Sequence, residues 1–399
     1  YPWALFLVLG GILTKSAQFP FHFWLPQAMA APTPVSAYLH SATMVKAGVF
    51  LLARLHPALA GTDLFFYTVS TIGAVTLLLG AWYAIFQHDL KGLLAYSTIS
   101  HLGLITMLFG LSTPMAVVAG VFHILNHAVF KASLFMAAGI IDHETGTRDI
   151  RRLGGLRRLM PFTSTLAIVA SLSMAGIPLL NGFLSKEMFF AAALETPAPA
   201  PMRVFTGVAA LLAGVLGVAY SLRFVYETFL GQGPRDLEVT PHEPPRWMKI
   251  PIEVLVVLCV AVGIFPALTV ARVLHAGVFA ILGPATPDYS LAVWHGLNWP
   301  LAMSLAGVVG GVALYLGLAR LLNLHAVVTR AIGRDLFKQH LELLFVAGNR
   351  ISTRLANNSL QRSLLMLVLV AIAAVAVPLW NGGLALSLAL SLIHISEPT

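Results

Sequence analysis

Apolar runs of roughly 20 residues recur from one end of this chain to the other, and each is long enough to cross a ~30 Å hydrocarbon core as a helix. They lie at about 3–25, 35–55, 64–86, 93–110, 115–141, 162–194, 204–230, 251–282, 299–322 and 363–381. Only helices and closed barrels satisfy every backbone group in lipid. Strand alternation is absent, so all ten segments read as helices. The expected class is an all-α polytopic membrane protein, and composition agrees. Charged residues make up 10% of the chain and hydrophobic ones 58%, against about 25% charged in a soluble domain.

The net charge of +8 does not point to nucleic acid, because the basic residues are ordered along the chain. Most of the 24 Lys and Arg fall around Lys91, from Arg148 to Arg158, from Arg235 to Lys249 and from Arg320 to Arg362. The connections at 56–63, 111–115, 195–202 and 283–298 carry almost none between the apolar segments that flank them. That alternation is the positive-inside pattern, which puts the basic loops on the cytoplasmic side. The single cysteine, Cys259, excludes an internal disulfide and any Cys-ligated cluster held by this chain alone.

Two segments are interrupted. Pro20, Pro26, Pro32 and Pro34 follow Lys15, and Gly176-Ile177-Pro178 with Asn181-Gly182 precedes Lys186. Proline removes a backbone donor and clashes with the preceding turn. Such breaks persist in a membrane where protein or a wet cavity re-satisfies the freed groups. Paired breaks of this kind mark transport sites in repeat-built transporters, although two ordinary proline kinks would look the same. Between 324 and 362, Leu336, His340, Leu343, Leu344, Ala347 and Ile351 recur at helical spacing opposite Arg334, Lys338, Glu342, Arg350 and Arg354. This reads as an amphipathic helix on the cytoplasmic face or as a solvated one.

An ionisable group at mid-membrane costs at least ~2.5–3.5 kcal/mol and is a functional candidate by default. His123, His127 and Lys131 are spaced i, i+4, i+8, about 6 Å apart along the axis and drifting only about 40°, so they form one stripe. Burial disfavours the protonated form of an amine or imidazole, and a group held so can both accept and release a proton. A proton relay is the favoured reading. A metal site, which needs a third ligand, and plain structural contacts are the alternatives.

Lys15 and Lys186 each sit beside a break, where exposed carbonyls can hold an amine, with snorkelling as the alternative for Lys15. His40 and Lys46 share the second segment but point about 120° apart. His22 and His101 are lone membrane histidines of the kind that often only bond two helices together. Asp89 with Lys91, and Arg223 with Glu227, read as structural ion pairs, and Gly310-Gly311 as helix packing. No phosphate loop, dinucleotide fingerprint or nucleophile elbow occurs in a suitable context. No acid lies mid-span before Glu187, and Glu187 points away from Lys186 on a helix.

The run Lys15-Ser-Ala-Gln-Phe-Pro-Phe-His-Phe-Trp-Leu-Pro, continuing to Tyr38-Leu-His40-Ser-Ala-Thr-Met-Val-Lys46, resembles the antiporter-like family. That family includes the proton-pumping membrane subunits of respiratory complex I and the large A subunit of Mrp-type sodium/proton antiporters. Asp89-Leu-Lys-Gly-Leu-Leu-Ala-Tyr-Ser-Thr, His123-Ile-Leu-Asn-His127-Ala-Val-Phe-Lys131 and Asn181-Gly-Phe-Leu-Ser-Lys186-Glu carry the same likeness. Lys46 and the loop His143-Glu-Thr-Gly-Thr-Arg-Asp look more like the Mrp protein than the complex I one.

The resemblance implies inverted five-helix repeats, each with a broken helix. The first would end at residue 63 and the second would span 64–232, followed by further transmembrane helices at 233–322. An amphipathic helix would occupy 323–362 and a last transmembrane region 363–392, with 393–399 a non-native tail. By the same resemblance Lys15, Lys131 and Lys186 form the proton relay, while His22, His40, Lys46, His123 and His127 line the channels. A glutamate expected to pair with Lys15 belongs to an upstream helix, so the chain is expected to be an N-terminally truncated fragment.

The implied function is translocation of protons and Na+ or another monovalent cation in a multi-subunit antiporter of the bacterial plasma membrane. Its partners would be other membrane subunits and the lipid bilayer, and it would need no cofactor or metal. The alternative is a membrane subunit of complex I or of a membrane-bound hydrogenase.

Overall fold

The computed structural model describes residues 1–237, 239–318, 332–355 and 360–381, which fall into two compact units, Tyr1–Ala331 and Ile332–Thr399. Among the described residues there is no β-strand, only a two-residue bridge between Asp89 and Asp149.

In the first unit α1 (Pro2–Lys15) is followed by an irregular stretch and the short helices α2 (Trp24–Gln27) and α3 (Thr33–Ala37). A π-helical turn at Tyr38–Ala42 and a bend at 43–45 lead into α4 (Lys46–Leu59). Then come α5 (Asp63–Ile85), α6 (Leu90–Leu111), α7 (Pro114–Thr145), α8 (Pro161–Ala175), α9 (Asn181–Leu194) and α10 (Ala200–Val225). The unit continues through α11 (Arg246–Ile264), α12 (Pro266–Thr269), α13 (Ala271–Leu282) and α14 (Trp299–Leu318).

Local chemistry sets the ends of these helices. Thr62, Asp89 and Thr113 are N-caps whose side-chain oxygens accept from the amides of Phe65, Gly92 and Ala116 at 3.2, 2.7 and 3.2 Å. At its far end α7 stops at Gly146, which takes φ 68° in the left-handed region that suits glycine.

The helix α6 is apolar all round and almost wholly buried, as a helix at the centre of a bundle must be. It packs against α5 with almost no side chain between them. A Cβ on Gly73 would strike the Met107 backbone, and one on Gly103 would strike that of Leu77.

The basic loops meet on one side. Leu90 N–H donates to Arg148 O at 2.9 Å, Ile150 N–H to His88 O at 2.8 Å, and Arg235 N–H to Arg152 O at 2.9 Å. The arginine-free connection at 286–298 instead packs over the far end of α9, where His295 lies 3.7 Å from Glu187. The alternation of charge along the sequence is therefore a real sidedness.

One expected segment needs correcting. The apolar run 251–282 is two helices, α11 and α13, parted at Phe265-Pro266. Proline cannot continue α11 but suits the first turn of α12, and the chain folds back so that α13 packs on α7 and α4.

The second unit holds α15 (Ile332–Leu355) and α16 (Leu360–Asn381). Leu343, Leu344 and Ile351 are exposed along α15, the side chains expected for an amphipathic helix. The expected tail 393–399 lies outside the described residues.

Candidate functional site

The helix α7 delivers His123, His127 and Lys131 to one buried stripe, each fully enclosed. Opposite stands α6, with Ser97 and His101 one turn apart on the facing side. The Lys131 ammonium donates to the Ser97 hydroxyl, to the Leu94 carbonyl at 3.4 Å and to the Met174 sulfur at 3.2 Å. Eight residues earlier in the sequence, His123 Nε2 and His101 Nδ1 share a hydrogen bond of 2.9 Å. The other nitrogen of each ring is also engaged, His123 Nδ1 with Ser185 Oγ at 3.0 Å and His101 Nε2 with Tyr220 Oη at 3.2 Å. His127 lies between, its ring centroid 5.2 Å from that of His101 and 6.2 Å from that of His123.

The predicted break in the sixth segment is present. The α8 helix ends at Ala175, and Gly176 at φ 79° turns the chain toward α9. The freed Ala175 carbonyl accepts from the Lys186 ammonium at 2.7 Å. A Cβ at Gly176 would come within 2.5 Å of Lys186 Cδ, so both the turn and the lysine require glycine there. Asn181 steadies the break by joining Ser173 and reaching the Asn126 carbonyl at 3.5 Å. Lys186, His101 and Tyr220 line one small cavity of about 10 Å3, close to the room one water needs.

The first region is arranged differently. Lys46 is buried at the N-terminus of α4 and donates to the Ser41 carbonyl, which the π-turn and bend have freed. His40 is buried beside Phe135, and neither of its nitrogens, nor either of His127's, meets a hydrogen-bond partner among the described residues. Unpaired buried polar groups cost roughly 1–3 kcal/mol each, and native structures keep few of them. His22 stacks on Phe19 in the irregular stretch, and Lys15 is exposed on α1.

The expectation that Lys15 is a buried member of the line is therefore corrected within this chain, because the face of α1 that bears it packs on nothing described. His101, whose sequence context suggests only a lone helix-bonding histidine, is central. Ser97, Ser185 and Tyr220 join the line without a strong mark of their own, although a serine and a histidine one turn apart in so apolar a segment is a usable signal. Glu187 meets His295 and Asn298, with no contact to Lys186, as its position on the helix implies. The Arg223–Glu227 pair is present at 3.1 Å. Lys91 pairs with Asp142 at 3.5 Å, and Asp89 pairs with Arg148.

Residues 2–213 match the family described as "NADH:quinone oxidoreductase/Mrp antiporter, TM". Over 96% of this chain the sequence is 59% identical to a Rhizobium meliloti (strain 1021) protein described as a probable K(+)/H(+) antiporter component of type A/B. It is 46% identical over 78% of the chain to the A subunit of an Na(+)/H(+) antiporter from Alkalihalophilus pseudofirmus. Among solved structures, one chain in the Mrp complex from Dietzia sp. DQ12-45-1b superposes with a TM-score of 0.80 over 94% of this chain at 36% identity. The chain spans about two-fifths of the length of these relatives, 39% and 42% of the two sequences and 40% of the solved chain.

Proposed function

Because the chain belongs to the NADH:quinone oxidoreductase/Mrp antiporter membrane family, we propose that it is the ion-translocating portion of the large A subunit in a multi-subunit monovalent-cation/proton antiporter. The observation that carries this reading is the enclosed polar line through α6, α7 and the α8–α9 break. Every member of it can both give and take a proton, or holds an amine against neutral oxygens. Paired imidazoles pass a proton when one ring donates and the other accepts. The Tyr220 and Ser185 hydroxyls extend the pair at both ends.

Like charges in a low-dielectric interior repel strongly, so loading one buried amine pushes the proton on its neighbour onward. Lys131 and Lys186 are the two storage points, each held by Ser97 or by carbonyl oxygens. His40 and Lys46 belong to the approach from the first region. Other membrane subunits, supplied by the complex that relatives' names describe, complete the assembly in a bacterial membrane. The relatives are named for K+ and for Na+, so the cation is monovalent.

A redox-driven membrane subunit is the second reading, since the family description names both systems, but the antiporter names of the relatives favour the first. In everted vesicles carrying the full complex, Lys131→Ala removes cation-dependent proton flux. Full activity in that variant overturns the relay, and flux that needs an electron donor supports the second reading.

A further inference from the structure

Two cavities meet beneath the basic loops. The first, about 820 Å3, is a charged vestibule. Within it Lys91 pairs with Asp142 at 3.5 Å, Arg148 with Asp89 at 3.2 Å and Arg151 with Asp149 at 2.6 Å. The second, about 890 Å3, is a cleft walled by α3 and the π-turn on one side and by α7 and the start of α11 on the other. Pro34, Ala37, Ala132, Met136, Ile140 and Pro251 make that cleft largely apolar.

The two share Thr33 and Asp142, and Thr33 is pressed so closely on α7 that Gly139 has no room for a side chain. At its inner end the cleft reaches Ser41, whose carbonyl holds the Lys46 ammonium. The arrangement is thus a wet, charged antechamber, an apolar passage and a buried amine, in that order.

Resting on the transport reading above, we propose that this cleft is a hydrophobic gate on the basic-face approach to Lys46, with Asp142 as its sill and the α3–π-turn segment as its movable wall. An apolar constriction empties of water and blocks ions, and it conducts when wetted. The wall is suited to move because its helix is interrupted at 43–45. The ammonium of Lys46 tethers it through a charge-assisted bond to Ser41, which weakens when the amine gives up its proton. The load on the guarded site therefore sets the hold on the gate.

The test is thiol labelling at position 41 in Ser41→Cys, made in the full complex, because the chain's own cysteine, Cys259, is buried. A membrane-impermeant cationic methanethiosulfonate is applied to the basic face and the peptide bearing position 41 is quantified. Adding Met136→Asn, which wets the passage, speeds labelling about tenfold, while Met136→Leu leaves it unchanged. Asp142→Asn slows the cationic reagent and not a neutral one. If Met136→Asn disturbs assembly, Ala37→Ser on the opposite wall carries the same expectation.

Equal rates in the Asn and Leu variants, or labelling only from the opposite face, overturn the gate. So does undiminished flux once position 41 is fully labelled. Labelling needs no transport. Complexes that label as expected but show no cation-coupled flux overturn the transport reading and leave the gate standing.

Discussion

Residues 1–59 and 63–230 carry the same local signs, a lysine beside a proline-broken helix and histidines nearby, yet only the second region encloses them all. There Lys131 is fully buried and Lys186 is 7% exposed, whereas Lys15 is exposed and Trp3 on the same helix is 84% exposed. The difference lies in the neighbours. The α7 helix is packed against α6, α8, α9, α11 and α13, while α1 rests mainly on α4. Lys46, in the same first region, is only 6% exposed because α4 is covered by both α1 and α6. A membrane lysine is thus made a candidate by its sequence and made a buried charge by the helices around it.

The largest effect that would sharpen this contrast is on the line itself. Lys131→Ala should lower cation-coupled proton flux by about two orders of magnitude or more, the scale of losing a positioned proton carrier. A fall of less than tenfold would make the enclosed region no more essential than the open one. The next effect separates two histidines that look alike in sequence. His101→Phe breaks bonds to His123 and Tyr220 and should cost about tenfold in flux. His22→Phe, in the open region, removes only a ring stacked on Phe19 and should stay within about twofold. Comparable losses in the two variants would break the comparison.

Stability offers a third test. Gly176→Ala must place a side chain at φ 79° against Lys186, and should destabilise the complex by about 1–3 kcal/mol in thermal unfolding. Gly10→Ala, on α1 with nothing within 4 Å of the added atom, should stabilise by about 0.5–1 kcal/mol.

What could be read in advance was what is local. The 3.6-residue period put His123, His127 and Lys131 on one face, Gly176 and Pro178 announced the break, and the spacing of arginines announced the sides. What could not be read was which helix stands opposite. His101 and Tyr220 are 119 residues apart and meet only because α6 and α10 converge, and Lys91 finds Asp142 across α7. The turn at Phe265-Pro266 was legible but masked by the apolar residues on both sides of it. The π-turn at Tyr38–Ala42, which leaves Lys46 at a helix N-terminus, has no sequence mark as strong as a proline.

The smallest effect belongs to charges of the same kind placed at the rim. Asp149 is pinned by Arg151 at 2.6 Å, but the pair is largely open to solvent, with Arg151 60% exposed. Hydrogen bonds from the Arg151 side chain hold the Asp149 carboxyl below its usual range, and partial burial opposes them. A carboxyl lowered on folding contributes stability above its unfolded value of about 3.9, and loses it as the pH falls through the lower folded value. Between pH 5 and pH 8 the contribution should therefore be constant and under about 1 kcal/mol, as exposed pairs are. Asp149→Asn should shift the melting temperature slightly, by the same amount across that range, and high salt should shrink the shift further. An effect at pH 7 as large as that of Gly176→Ala would mean that the rim, and not the enclosed line, carries the energetics of this fold.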